Sequence, residues 1–184
     1  DPLALGVDVA RFGMNNSVIW PRKGRDARSI QRQVFNGLST VDLATKVFEA
    51  NSLYRADGIM VDGGGVGGGV VDNLRHMHLF CFDVQFGGKP DLGGAVTGNQ
   101  GEKYANKRAE MYGAARAWIK TGALPNDPEI KKQLLAIKYT FNKQDQIQLM
   151  SKEDLLDENP DLDLDTLDAL CLTFGGPLHR NANA

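Results

Sequence analysis

The chain has 184 residues, of which 42% are hydrophobic and 24% are charged, the size and balance of a single globular domain. No apolar run approaches the roughly 20 residues of a membrane-spanning helix, and no signal peptide is visible, so we expect neither membrane insertion nor secretion. The net charge of −2 gives by itself no reason to propose a nucleic-acid-binding protein. Cys81 and Cys171 lie in apolar segments without a CxxC pair, which predicts reduced, buried thiols and no zinc site.

Charge and glycine are both unevenly distributed along the chain. Residues 1–100 are neutral overall, residues 101–143 carry nine basic and four acidic side chains, and residues 144–184 carry two basic and nine acidic ones. Charge runs of this kind usually form solvated helix faces. Thirteen of the 21 glycines fall within residues 58–101, and the segment 86–94 is typical of a mobile loop.

The first half of the chain is predicted to begin with strands and then to alternate with helices. Three short β-like runs joined by turns predict an antiparallel meander, and they cover Leu3–Val9, Ser17–Pro21 and Ser29–Phe35. The elements that follow are a helix over 39–55, a strand over 58–62, a helix over 66–75 and a strand over 80–86.

The second half is predicted to be mainly helical, with one hairpin. The expected elements are helices over 104–121 and 129–136, a hairpin of 137–141 and 147–150, a helix capped by Ser151, and a last helix over 164–174. Together the elements predict an α/β fold, in which helices flank a mixed β-sheet of an antiparallel meander plus parallel strands, with an additional β-hairpin. We expect one domain over 1–177 and a disordered tail over 178–184.

Two carboxylates are placed where burial is expensive. Asp8 lies inside the apolar run 5–10, and Asp62 ends the apolar strand 58–62. A buried aspartate costs several kcal/mol unless it is paired or binds a cation, and the carboxyl ends of parallel strands are where such sheets bind ligands. The alternative is that each aspartate only caps a neighbouring turn.

A second pair of carboxylates lies in the last predicted helix. Asp165 and Asp168 are three residues apart and therefore share one helix face, at the edge of the apolar stripe formed by Leu164, Leu167 and Cys171. The alternative is an acidic helix N-terminus, which the helix dipole favours. Carboxylates that converge repel each other, and a hard divalent cation such as Mg²⁺ or Mn²⁺ relieves this repulsion. Two such ions about 4 Å apart are the usual arrangement for phosphodiester hydrolysis.

Five segments stand out in order along nearly the whole chain: 6–13 followed by 16–19, then 61–67, 106–112, 151–155 and 165–170. They resemble the nuclease domain of the large terminase subunit of tailed bacteriophages, a member of the RNase H-like and RuvC-like superfamily. The resemblance implies an RNase H-like fold and a metal-dependent endonuclease that cuts concatemeric double-stranded viral DNA during genome packaging.

The resemblance also implies the roles of the carboxylates. Asp8, Asp62 and Asp165 would be the catalytic metal ligands, and Asp168 would complete a second ion site, so that two Mg²⁺ or Mn²⁺ ions are expected. One departure concerns Pro160-Asp161, which lies further before Asp168 than is usual in the family. The third ligand therefore remains open among Asp161, Asp163, Asp165 and Asp168.

The same resemblance gives the basic block a role. We expect six basic side chains to contact DNA phosphates; they are Arg11, Lys103, Lys107, Arg108, Lys138 and Lys143. In the full-length protein the partners would be an ATPase motor domain, the portal protein and the small terminase subunit. The site of action would be the procapsid in the host cell cytoplasm.

Three other interpretations remain open from the sequence. Gly6-Val7-Asp8 with the later Asp-Gly-Gly-Gly is also similar to the phosphate loops of actin-like ATPases, of which 184 residues would form one lobe. A Holliday-junction resolvase with the same fold is a second possibility. The third is a DNA-binding or docking module without catalytic activity.

Overall fold

A five-stranded mixed sheet forms the centre of the computed structural model, which describes residues 1–10, 15–91 and 101–178. Its strands are β1 (Leu3–Asp8), β2 (Asn16–Lys23), β3 (Gln33–Asn36), β4 (Gly58–Asp62) and β5 (Phe82–Val84). The spatial order is β3-β2-β1-β4-β5. β2 pairs antiparallel with both β1 and β3, whereas β4 pairs parallel with both β1 and β5. The predicted combination of an antiparallel meander with parallel strands is therefore confirmed.

Helices and one hairpin complete the described part of the chain. The helices are α1 (Thr40–Tyr54), α2 (Gly67–His76), α3 (Lys107–Ile119), α4 (Pro128–Ala136), α5 (Lys152–Glu158) and α6 (Asp165–Leu172), and the predicted hairpin consists of β6 (Tyr139–Phe141) and β7 (Ile147–Leu149). Side chains of Ser39, Asn106, Asp127 and Ser151 accept backbone hydrogen bonds at the starts of α1, α3, α4 and α5. Within these residues no helix combines the length and apolar character needed to cross a membrane.

Apolar side chains on both faces of the sheet explain why β1 and β4 are buried almost throughout. On one face Leu5, Val7 and Val61 pack in one cluster with residues of α1 and α2. On the other face Ala4 and Met60 pack in a second cluster with residues of α3, α4 and α6. Because alternate residues of a strand point to opposite faces, a strand covered on both sides is a continuous apolar run, as the sequence suggested.

Helix α6 crosses β1 at unusually close range. A Cβ atom at Gly6 would lie 1.9 Å from the carbonyl oxygen of Ala169, so only glycine permits this approach. The buried Arg22 side chain holds the other end of α6, since its guanidinium donates hydrogen bonds of 2.7 and 2.8 Å to the hydroxyl and carbonyl oxygens of Thr173. These contacts fix α6 against the sheet and thereby set the position of its first turn.

Some predicted element bounds differ from the structure for local reasons. β3 begins at Gln33 rather than Ser29 because the Asp26 carboxylate accepts hydrogen bonds from the backbone of Arg28 and Ser29 and turns the chain there. The hydroxyl of Ser29 also donates to this carboxylate, and this bond first, then the two backbone bonds, lower the pKa of Asp26 to about 2. The strand predicted over 80–86 contains only 82–84, and α3 begins after the cap at Asn106 rather than at residue 104.

Of the predicted tail over 178–184, only residue 178 lies among the described residues. Leu178, which was expected in the tail, packs against the core beside Gly58. Residues 11–14, 92–100 and 179–184 lie outside the described residues. Arg11, one of the six basic residues predicted to contact DNA, is among them. Both cysteines are buried and free, as predicted.

Candidate metal centre

Asp8 and Asp62 lie side by side at one edge of the sheet. Val7 pairs with Val61 in the parallel ladder between β1 and β4, so the next residue of each strand is one of these aspartates. Adjacent strands are about 4.8 Å apart, and residues at matching register point to the same face. Asp8 is only 3% exposed, and Asp62 is partly buried, with its Oδ1 accepting a 3.0 Å hydrogen bond from the backbone N–H of Gly64.

Helix α6 contributes the other two predicted carboxylates from its first turn. Asp165 is buried, and its Oδ2 accepts a 3.0 Å hydrogen bond from the backbone N–H of Asn16, the first residue of β2. The N–H of Asp165 in turn donates to Oδ1 of Asp163 at 2.8 Å. The Asp163 carboxylate therefore accepts a backbone hydrogen bond at the start of α6. Asp161 is exposed. Of the four aspartates left open by the sequence, Asp165 and Asp168 interact electrostatically with Asp8.

Asp168 has no exposed surface and is surrounded by three side chains. The hydroxyl of Tyr112 donates a 2.6 Å hydrogen bond to Oδ1, and Nε of Arg108 lies 3.5 Å from the same oxygen. The Lys152 ammonium lies 2.5 Å from Oδ2. This last contact is a close, buried ion pair.

The pKa shifts show that these carboxylates oppose one another's charge. Burial raises the pKa of Asp8 well above its usual value, and the charges of Asp168, Asp165 and Asp62 raise it further, while Lys152 opposes the shift. Burial also raises the pKa of Asp62. The pKa of Asp165 is raised to about 6, by burial first and by Asp163 second. The cluster thus holds more negative charge than its surroundings favour.

The donor set fits a hard divalent cation in type and charge. Among the described residues, the four carboxylates face two basic side chains, Lys152 and Arg108. Oxygen ligands of this kind suit Mg²⁺ or Mn²⁺. The buried Oδ2 of Asp168 is paired with the ammonium of Lys152, a cation whose place a metal ion would take. As the side chains stand, with Lys152 against Asp168, no group of three or more His, Cys, Asp or Glu residues in the described ranges is arranged to hold an ion.

Of the six basic residues predicted to contact DNA, two are buried, three are exposed, and Arg11 lies outside the described residues. Lys107 is buried and forms ion pairs with Asp91 and with Glu110, and Arg108 is buried behind Asp168. We correct the interpretation of these two side chains, because a buried cation held by carboxylates cannot reach a phosphate at the surface. The other described ones, Lys103, Lys138 and Lys143, are exposed, with Lys138 beside Glu158.

Three residues next to the aspartates were not assigned a role from the sequence. Lys152 and Tyr112 lie within segments that resemble the terminase nucleases, but nothing in their local pattern indicates a contact with Asp168. Asp83 lies beside the turn that follows Asp62, where a Cβ atom at Gly63 would be 1.8 Å from its Oδ1, and its charge contributes to the raised pKa of Asp62. Only the register of β4 against β5 brings Asp83 there.

Solved structures with the same fold include phage terminase domains. The nuclease domain of the large terminase subunit of bacterial virus Sf6 matches with a TM-score of 0.74 and 17% identity, over 96% of this chain and 89% of that one. The fold is that of the large-terminase nuclease domain. The large terminase nuclease from thermophilic phage G20c, with bound magnesium, matches with a TM-score of 0.64 and 15% identity over 94% of this chain and 80% of that one.

Metals accompany several of these related structures. A mutant of the Sf6 domain with manganese matches with a TM-score of 0.73 and 16% identity, over 96% of this chain and 89% of that one. No family model and no curated protein sequence matches the chain. At these identities the likeness establishes the fold alone, and the chemistry of this chain has to be argued from its own residues.

Proposed function

We propose that this chain is the nuclease domain of a phage large terminase subunit. It hydrolyses phosphodiester bonds of concatemeric double-stranded DNA during genome packaging, with Mg²⁺ or Mn²⁺ as the cofactor. The observation that carries the proposal is the placement of Asp8 and Asp62 at adjacent ends of parallel strands, electrostatically coupled to Asp168 of α6. Terminase nuclease structures with the same fold and with magnesium or manganese support it.

In this proposal the four carboxylates would be the ligands of two metal ions. Asp8 and Asp62 supply oxygens from the sheet, Asp165 supplies one from the first turn of α6, and Asp168 completes the second site. When bound, two ions lower the pKa of a water nucleophile and stabilise the leaving 3′ oxygen. Lys152 neutralises part of the carboxylate charge in the metal-free protein, since its charge opposes the rise in pKa of both Asp8 and Asp62 that burial causes.

A plasmid-cleavage assay tests the proposal directly. We expect the purified chain to nick or linearise plasmid DNA with Mn²⁺ and to leave it intact with EDTA. Titration with a nucleotide distinguishes an actin-like ATPase lobe, which would bind ATP and leave the plasmid uncut. Absence of Mn²⁺-dependent cutting by a correctly folded chain would remove the nuclease proposal.

We further propose that exposed lysines guide DNA to the site. Lys138 and Lys143 flank β6, and Lys103 lies near the start of α3. We also propose protein partners for the full-length protein, which are an ATPase motor domain, the portal protein and the small terminase subunit. The site of action is the procapsid in the host cytoplasm.

The salt dependence of DNA binding checks this role of the hairpin. Lys138→Ala combined with Lys143→Ala is expected to reduce the slope of log K against log salt concentration by up to about 2, because each phosphate contact contributes about 0.9. The matched control is Lys23→Ala with Lys46→Ala, since Lys23 pairs with Leu3 at the end of β1 away from Asp8. An unchanged slope for the hairpin variant, or an equal reduction for the control, would contradict the assignment.

A further inference from the structure

Tyr112 connects helix α3 to the metal centre through one buried hydrogen bond. Its hydroxyl donates to Oδ1 of Asp168 at 2.6 Å, across 56 positions of sequence, and both groups are buried. Arg108 lies one helical turn earlier on the same face of α3. Its guanidinium lies 5.0 Å from the centre of the Tyr112 ring, and its Nε lies 3.5 Å from the same carboxylate oxygen.

The two oxygens of Asp168 consequently have different surroundings. Oδ1 is held from the α3 side by the hydroxyl of Tyr112, in a bond of the short, charge-assisted type. Oδ2 lies 2.5 Å from the Lys152 ammonium, the group that a metal ion would displace. A carboxylate fixed through one oxygen cannot rotate freely, so its other oxygen keeps a constant direction. Such fixation is what a metal ligand needs to bind without reorganising.

We propose that Tyr112 is a positioning residue for the metal centre: it fixes Asp168 through Oδ1 so that Oδ2 is the oxygen presented to a divalent cation. The inference rests on the proposed function, because it assigns Asp168 to a metal ion. Arg108 supports the same oxygen electrostatically from one turn away. Removing the Tyr112 hydroxyl leaves Asp168 free to rotate toward Lys152 with both oxygens, which weakens cation binding.

A purely structural role for Tyr112 makes a different prediction. The Tyr112 ring packs in the core with Leu167 and Leu170 and lines a cavity of about 320 Å³ beside α4 and the hairpin. Phenylalanine preserves this ring and its packing, so Tyr112→Phe removes the hydroxyl and little else. Tyr104 provides the matched control, since it is also a buried tyrosine whose hydroxyl donates to a carboxylate, that of Glu102.

Calorimetric titration with Mn²⁺ tests the inference without any cleavage assay. We expect Tyr112→Phe to weaken Mn²⁺ binding by about 10- to 100-fold, as the loss of a group that orients a metal ligand does. Tyr104→Phe should stay within about twofold of the unmodified protein, because its hydroxyl donates to Glu102 and so does not orient one of the proposed ligands. Equal affinities of the unmodified protein and Tyr112→Phe would overturn the inference and leave the proposed function standing. If the unmodified protein binds no Mn²⁺, the proposed function fails, and the inference fails with it.

A double-mutant comparison then asks whether Tyr112 acts through Asp168. In an Asp168→Asn background, adding Tyr112→Phe should change Mn²⁺ affinity by less than about twofold, since the two residues form one interacting unit. A 10- to 100-fold loss of Mn²⁺ affinity on adding Tyr112→Phe to Asp168→Asn would overturn the inference. If Tyr112→Phe does not fold, the unmodified protein with ¹³C-labelled tyrosine rings is titrated with Mg²⁺. A shift of the Tyr112 Cζ resonance supports the inference, and an unchanged resonance overturns it.

Discussion

Asp8→Asn is expected to abolish Mn²⁺-dependent cleavage of plasmid DNA, with a loss of at least about a thousandfold in rate. The amide keeps the shape of the side chain but supplies no negative charge to a cation. Asp8 is buried, whereas its neighbour Asp62 at the end of β4 is only partly buried. Gel-based cleavage under single-turnover conditions measures the loss.

The same substitution should make the metal-free protein more stable. The folded-state pKa of Asp8 is raised, so the folded state holds this proton more tightly than the unfolded state. The contribution of Asp8 to the free energy of unfolding therefore falls as pH rises from about 4 through the folded-state pKa. Asparagine does not ionise and escapes this loss. In EDTA at pH 7.5 we expect a gain of at least about 1 kcal/mol, or about 3 °C in Tm.

Asp72→Asn is the control for both effects, because Asp72 is an exposed aspartate on α2. It should change neither the cleavage rate nor Tm appreciably. Near pH 3 the stability gain of Asp8→Asn should largely disappear, because at about one unit below the ordinary pKa Asp8 is mostly protonated in both states. Cleavage that survives Asp8→Asn, or a metal-free protein that becomes less stable at pH 7.5, would contradict the placement of this carboxylate.

Mn²⁺ affinity should fall steeply between pH 7.5 and pH 5. A carboxylate must lose its proton to bind a cation, so raised pKa values move this competition into an accessible range. The pKa of Asp165 is about 6, so protonation of this group alone should cost about tenfold in affinity at pH 5. Asp8 and Asp62, whose pKa values are also raised, add to the loss.

Titration calorimetry across this pH range measures the dependence, with Asp165→Asn as the comparison. The variant should bind Mn²⁺ more weakly at pH 7.5 and show a shallower dependence on pH, because one titrating ligand is gone. An affinity that stays flat from pH 5 to pH 7.5 in the unmodified protein would be inconsistent with carboxylates of raised pKa as ligands.

Local sequence patterns were sufficient to predict the strands that carry the first two aspartates. β1 and β4 are apolar runs because helices cover both faces of the sheet, and an aspartate within or directly after such a run is visible without any tertiary information. The hairpin and the helix that begins after Ser151 were also predicted, since turn residues and capping side chains act over only a few positions.

Contacts between distant segments could not be predicted in the same way. Lys107 looks like any other cation of the basic block, and only its ion pairs with Asp91 and Glu110 show that it belongs to the interior. The hydrogen bond from Tyr112 to Asp168 joins α3 to α6. The close packing of α6 on Gly6 brings the first turn of that helix to the sheet. Each depends on how elements pack, which periodicity does not encode.

The most direct test of the metal centre is anomalous scattering from a crystal of the chain soaked in Mn²⁺. We expect two peaks about 4 Å apart, both within bonding distance of carboxylate oxygens, with Asp8 and Asp62 as ligands from the sheet and Asp165 and Asp168 as ligands from α6. A fully soaked crystal that shows no anomalous peak beside Asp8 and Asp62, or that places Mn²⁺ only at other residues, would contradict the assignment.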